Sequence, residues 1–224
     1  MRLAGSDDLD ALASIGAAAF AGKYGPAFGA DAAAGARALA AAGLSHPDCR
    51  VLVAEVGGRV AGSVQLLLGP GPGEGALSRA VEESLGPLRT LRASLVLSLL
   101  RPPEVPADRA YLDALAVAPW ARRRGVARAL LTECGALARA AGLRGVLLLV
   151  TADNTAALAL YERAGLHAVE RRRWLLARMV FGSPGAVVME WPMEPAPRAP
   201  ARGPARTEPE DRPRAPAPHP GRRR

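Results

Sequence analysis

The segment VAPWARRRGVA, from Val117 to Ala127, gathers the features from which an anion site is built. A glycine at the start of a helix lets the main chain approach a ligand closely. The N–H groups of the first helical turn lack intrahelical partners and carry the positive end of the helix dipole. Phosphate oxygens suit such a mouth, and Arg122, Arg123, Arg124 and Arg128 surround it with guanidinium groups matched to them. Read by itself, the segment is equally a basic helix start in an arginine-rich chain. It is not a Walker-type loop, because no Gly-Lys-Ser/Thr follows.

The elements around this turn alternate in period. Ser6–Phe20 predicts a helix capped by Ser6 or Asp7, with Leu9, Leu12, Ile15 and Ala19 at helical spacing. A second, alanine-rich helix is expected over about Ala30–Ala42, stopped by Gly43. Arg50–Val56 and Arg59–Leu68 flank Gly57-Gly58 as a β-hairpin. Tyr111–Val117 reads as the strand entering the arginine turn. Gly125–Ala141 follows as a helix, and Gly145–Thr151 (GVLLLVT) as a strand covered on both faces. Asn154 or Thr155 opens another helix that ends at Ala164-Gly165, and strands over His167–Arg173 and Ala186–Pro192 close the domain. Strands interleaved with helices define a mixed α/β sheet. Residues 69–108 interrupt the rhythm: a Gly/Pro linker leads into a helical pattern of leucines from Leu77 to Leu99 that stops before Pro102-Pro103.

Length and charge narrow the function classes. The 224 residues have room for one domain of ordinary size with a tail. The formal charge of +8 first suggests a nucleic acid or a membrane. Residues 195–224, however, carry eight Arg against Glu208, Glu210 and Asp211, so five of the eight charges lie there and three on residues 1–194. With nine prolines and no Leu, Ile, Val or aromatic residue, that tail (194–224) cannot bury enough apolar surface to order itself. Among 29 basic residues, Lys23 is the one lysine. Leu88–Leu100, broken by Arg89 and Arg92, is too short for the roughly 20 residues of a membrane span. Asp7, Asp8 and Asp10 do not fit a signal peptide. Cys49 and Cys134 are too isolated for a disulfide framework or a metal cluster, so a cytoplasmic protein without metal is expected. Cys134 falls on the apolar face of its helix and reads as core.

The V-x-P-x-x-R-x-x-G-x-A arrangement of Val117–Ala127 resembles the acyl-CoA pyrophosphate loop of the GNAT superfamily of N-acetyltransferases. A second block, NTAALALYERAGL from Asn154, resembles the family's Asn-x-x-Ala-x-x-x-Tyr-x-x-x-Gly-Phe signature, with Asn154, Ala157, Tyr161 and Gly165 in register. The resemblance covers about residues 1–193 as one acetyltransferase domain. It implies a mixed, mostly antiparallel twisted sheet flanked by helices, with 69–108 as an added helical insertion. It also implies acetyl-CoA as co-substrate and transfer of its acetyl group to a primary amine by direct attack.

Residue by residue, the resemblance implies that Leu115, Ala116 and Val117 offer main-chain groups to the pantetheine arm. Arg122, Arg123, Arg124, Gly125, Val126, Ala127 and Arg128 would cradle the pyrophosphate. Asn154 matches a cofactor-contacting Asn, or serves as a helix N-cap. Tyr161 matches the phenol that protonates the departing thiolate, or packs beside Leu158. For the base that takes the amine's proton, Asp113 and Glu55 are both candidates. Strand alternation puts Asp113, Leu115 and Val117 on one face and Leu112, Ala114 and Ala116 on the other. Trp120 either lies over the cofactor or shields the loop. Two alternatives stand beside this reading: a catalytically silent CoA-binding regulatory module, and a nucleic-acid binder using the basic tail. The tail's lack of aromatic platforms counts against specific single-strand recognition. The insertion's leucines could cover the acceptor cleft, form a homodimer contact or lie on a membrane surface.

Overall fold

The computed structural model describes residues 1–100, 103–174 and 177–193. The Pro/Arg-rich tail predicted from residue 194 onward lies outside the described residues. Among the described residues, seven strands form one sheet in the order β1-β2-β3-β4-β5-β7-β6. They are β1 (Arg2–Leu3), β2 (Cys49–Val56), β3 (Arg59–Leu67), β4 (Ala110–Val117), β5 (Gly145–Thr151), β6 (His167–Arg173) and β7 (Gly185–Pro192). All neighbours are antiparallel except β4 and β5. That exception follows from the chain path, because helix α6 (Val126–Ala140) crosses over between them, and a crossover returns a strand parallel. The mixed, mostly antiparallel sheet flanked by helices is thus the observed fold.

Alternation divides the sheet residues between two faces. On one, α6 and α7 (Thr155–Arg163) bury Leu130, Leu131, Cys134 and Tyr161 in a core with Val64, Leu66, Leu112, Leu148 and Met189. On the other, α1 (Leu9–Ala19) and α3 (Ala32–Ser45) place Leu12 and Ala40 against Cys49, Val51 and Val53. Outside them α2 (Ala21–Phe28), α4 (Glu74–Leu85) and α5 (Pro87–Ser98) build a satellite cluster around Tyr24 and Phe28. A short α8 (Ala177–Phe181) lies near Trp174.

Several elements match their predicted places. Gly57 and Gly58 have φ of 60° and 74°, the conformation a tight two-residue hairpin demands. Others differ for physical reasons. Gly43 does not stop α3, which runs on to Ser45; a Cβ at Gly43 would sit 3.3 Å from the Gln65 amide, so this glycine is there for close packing. The leucine pattern of residues 77–99 is two helices, because Gly86 turns at φ 79° and Pro87 opens the second. Helix α2, with Gly22, Gly25 and Pro26, has no propensity to announce it and is held by burial of Tyr24, Ala27 and Phe28. Neither Ser6 nor Asp7 caps the first helix. Asp8 instead accepts the Gly5 N–H at 2.8 Å and two Arg2 contacts at 2.6 and 2.8 Å. The Arg2 guanidinium, then the Gly5 N–H, hold its carboxyl below the usual value against the opposing effect of burial.

Candidate active site

The parallel pairing of β4 with β5 extends only from Ala110–Leu112 to Val146–Leu148. Beyond it β4 continues to Val117 bonded to β3, and β5 continues to Thr151 bonded to β7. The two strands therefore part into a wedge. Main-chain groups of Asp113–Val117 that alternate away from β3 face this wedge without a strand partner. Leu115, Ala116 and Val117 all lie on this edge.

Helix α6 begins beside the wedge. Its N-cap, Gly125, is left-handed at φ 79°, and no side chain caps it. The first-turn N–H groups of Val126, Ala127 and Arg128 are open. Arg123 is also left-handed, at φ 60°, a conformation costing an L-residue about 1–2 kcal/mol. Strain of this kind at a loop next to an open helix mouth fits a built ligand cradle. None of the Arg122, Arg123, Arg124 and Arg128 side chains has a salt bridge or hydrogen bond among the described residues. The mouth is brought against the sheet by Gly62 of β3, where a Cβ would lie 2.8 Å from the Ala116 carbonyl oxygen and 2.9 Å from Val126 Cγ1. Sequence reading passed over Gly62, since its necessity appears only once α6 is packed on β3.

Tyr161 projects from α7 into the core. Burial pushes its pKa up to about 12, with Cys134 adding to the shift. Its hydroxyl has no hydrogen-bond partner among the described residues. Asp113 stands exposed on β4. The register passes from Gln65–Ala114 to Leu66–Leu112, which makes Asp113 the extra residue of a bulge. The simple alternation expected here fails for that reason: Leu112 and Leu115 stand opposite Leu66 and Val64, which share one face of β3. Tyr111, read from sequence as an ordinary strand residue, links the parts. Burial raises its pKa, and the charges of Asp113, Arg172 and Tyr161 all act on it.

The remaining candidates lie further from the wedge. Glu55, on β2, is drawn to Arg2 at 2.6 Å, two strands away from β4. Asn154 caps α7, its side-chain oxygen accepting the Ala157 N–H at 3.2 Å, which leaves its amide N–H groups for a ligand. Trp120 is half exposed with Arg59 stacked 4.8 Å from its ring centre. Cys134 is fully buried, and burial first of all pushes its thiol up to about 12. On the sheet face opposite α6, an open groove of about 920 Å³ runs between Leu99, Pro103, Glu104 and Pro106 on one side and β6 and β7 on the other. Its floor of Leu147 and Val188 continues into Tyr111. In its wall Arg172 is paired with Glu170 at 2.8 Å and Arg109 with Glu190 at 2.7 Å. No cluster of metal-ligating side chains exists among the described residues, and no described helix is long and apolar enough to cross a membrane.

A sheet split at its one parallel pair, with an open, arginine-ringed helix mouth beside the split, is the architecture of an acyltransferase. A family profile described as the acetyltransferase (GNAT) family matches residues 23–166, and the chain belongs to that family. No curated protein matches the chain in sequence. Among solved structures it is similar to the ribosomal-protein-S18-alanine N-acetyltransferase of Escherichia coli, with 19% identity and a TM-score of 0.54 over 88% of this chain and 95% of that one. A GCN5-related N-acetyltransferase from Kribbella flavida is similar at 22% identity and TM-score 0.54, covering 86% and 96%. The ribosomal-protein-alanine N-acetyltransferase of Brucella melitensis gives 22%, 0.53, 86% and 98%. At these identities the likeness is one of fold.

Proposed function

We propose that residues 1–193 act as one domain moving an acetyl group from acetyl-CoA to a primary amine by direct attack. The observation that carries this reading is the wedge: free β4 main chain beside an open α6 mouth. The Val126 and Ala127 N–H groups and the side chains of Arg122, Arg123, Arg124 and Arg128 bind the pyrophosphate. Leu115, Ala116 and Val117 bond the pantetheine arm as an absent strand would, and the Asn154 amide supplies a further donor.

When bound, acetyl-CoA supplies an activated thioester: the amine nitrogen forms a bond to its carbonyl carbon, and the carbon–sulfur bond breaks to leave a thiolate. Tyr161, kept protonated by burial, donates its proton to that sulfur. Asp113, exposed at the β4 bulge and without an ion-pair partner among the described residues, accepts the amine's proton through water. Glu55 is left in its Arg2 contact. The test is calorimetric titration with acetyl-CoA followed by release of free thiol over a panel of amines. Binding on the order of tens of micromolar or tighter, with amine-dependent thiol release, is expected. No binding by folded protein breaks the reading, and binding without release over the panel leaves a silent CoA module.

A further inference from the structure

The 69–108 insertion, which the proposed reaction does not use, forms one wall of the groove on the sheet face opposite α6. Leu99, Pro103, Glu104 and Pro106 come from it, and β6 and β7 supply the other wall. Strand register places this groove against the wedge. Leu147 stands opposite Tyr111 on β4 and Glu190 on β7, one pair before the parallel pairing ends at Leu112 and Leu148. Leu149, the next residue of β5 on the groove face, pairs with Val188 on β7 and lies beyond the last pair with β4. Tyr111, Leu147, Leu149 and Val188 pack as one apolar cluster, so the floor of the groove runs from the paired strands to the point where they part. One row further on, Trp174 and Leu99 pack with Leu149 and Ala186.

The charged side chains of this groove are matched to one another. Arg109 lies between Glu190 and Asp108, 2.7 Å from each, and Arg172 donates to both Glu170 oxygens at 2.8 and 2.9 Å. Alternation along β6 directs Arg171 and Arg173 to the other face, where Val187 opposite Arg171 belongs to the α6 core. Glu104 is exposed at the rim, where water and salt screen it. What is left to a ligand is an apolar floor between two neutralised walls, in a volume of about 920 Å³ that suits a small molecule. We propose, resting on the acetyl-transfer reading, that this groove receives the body of the acceptor, and that the acceptor is a small primary monoamine with an uncharged, apolar body. Its chain lies on Leu147 and Val188, and its nitrogen points to where the strands part. A second ammonium, as in a polyamine, finds Glu170 and Glu190 taken and sits beside two guanidinium groups. A carboxylate on the body has to draw Arg109 or Arg172 from its partner and leave a glutamate unpaired. Either charge loses hydration over the apolar floor, which a methyl or phenyl group gains by covering.

Hexylamine, hexamethylenediamine and ε-aminocaproate form a matched series, since they share one chain and end in a methyl, an ammonium and a carboxylate. Affinity is measured by calorimetry on the full-length protein saturated with CoA, and kcat/KM by thiol release with acetyl-CoA. Hexylamine is expected to exceed both charged analogues about tenfold or more in each, the effect of one charged end set over an apolar floor. Val188→Thr keeps the shape of the floor and adds a hydroxyl. It should cut that lead about threefold or more through KM, with kcat and the affinity for acetyl-CoA little changed. Arg172→Gln frees the Glu170 carboxylate and should raise the diamine, and not the other two, about threefold. Melting temperatures report that both variants are folded. Absence of hexylamine binding, equal use of the three amines, or preference for a charged end overturns the inference. So does preference for the N-terminus of trialanine over hexylamine, or a lead that Val188→Thr leaves unchanged. Acetyl transfer with any of these outcomes leaves the proposed reaction standing. Hexylamine preference in binding, weakened by Val188→Thr, without transfer to any amine supports the groove and breaks the proposed reaction.

Discussion

Helices α5 and α6 are written in nearly the same alphabet, leucine and alanine with scattered arginine, yet they end in opposite environments. Leu130 and Leu131 of α6 are fully buried against the sheet, whereas Leu88, Leu91 and Leu95 of α5 are 83%, 69% and 69% exposed. The difference lies in what each helix is offered. Helix α6 crosses a sheet whose upward side chains form a continuous apolar floor. Helix α5 docks on other helices through Thr90, Ala93, Val96 and Leu97, and that narrow contact cannot reach round to the opposite side. Periodicity reports that a helix has an apolar stripe; it does not report whether the chain supplies a surface for it.

The largest expected effect is on the α6 side. Leu130→Ala removes a buried side chain and leaves a hole between α6 and the strands, so unfolding free energy should fall by about 2–5 kcal/mol in urea titration. A loss below about 1 kcal/mol would show that the α6 face collapses as easily as a satellite contact and would erase the contrast with α5.

The same core also holds a proposed catalytic group, and that allows stability to be separated from chemistry. Tyr161→Phe keeps the ring and removes the hydroxyl. Turnover should fall about a hundredfold, the lower end for a general acid, with the affinity for acetyl-CoA shifting far less. Equal loss in both would assign Tyr161 to cofactor binding.

Much of the α6 side was legible in the sequence because its signals are local. The Gly57-Gly58 turn, the Asn154 cap, the GVLLLVT strand and the glycine at the mouth of α6 each depend on a few adjacent residues. What was not legible depends on residues far apart in the chain. The wedge arises where β4 and β5 part after three pairs, and no composition marks Leu112 as the last. The bulge that sets Asp113 off is a property of two strands at once. Gly62 is required by Ala116 and Val126, more than fifty residues away. Helix α2, with Gly22, Gly25 and Pro26, is a helix by packing rather than by propensity.

Alkaline pH probes the dry side through protons. Burial pushes Cys134 up to about 12 and Tyr161 likewise up to about 12. For a folded pKa raised above the unfolded one, stability is fully present below the unfolded value and is lost as pH rises through the folded one, because the unfolded chain releases its protons first. Unfolding free energy should therefore decline from about pH 9 upward, by up to about 1.4 kcal/mol per pH unit for each such group. Cys134→Ala should flatten the first part of that decline, and an unchanged slope would mean that the thiol ionises in place.

The smallest effect is expected on α5. Leu91 already meets water in the folded chain, so Leu91→Gln replaces one solvated side chain with another and should change unfolding free energy by no more than about 0.5 kcal/mol. Leu88→Gln should behave in the same way. Because both leucines lie on one stripe, the double variant separates two physical situations. If the stripe is exposed in solution, the small effects add. If it is covered by a second copy of the chain, the double variant loses more than the sum, and the loss grows with protein concentration, since a shared apolar contact stabilises by mass action. Sedimentation of the wild type beside the double variant reads that difference directly, and a monomer with additive, near-zero effects would establish α5 as a helix whose leucines have no surface to meet.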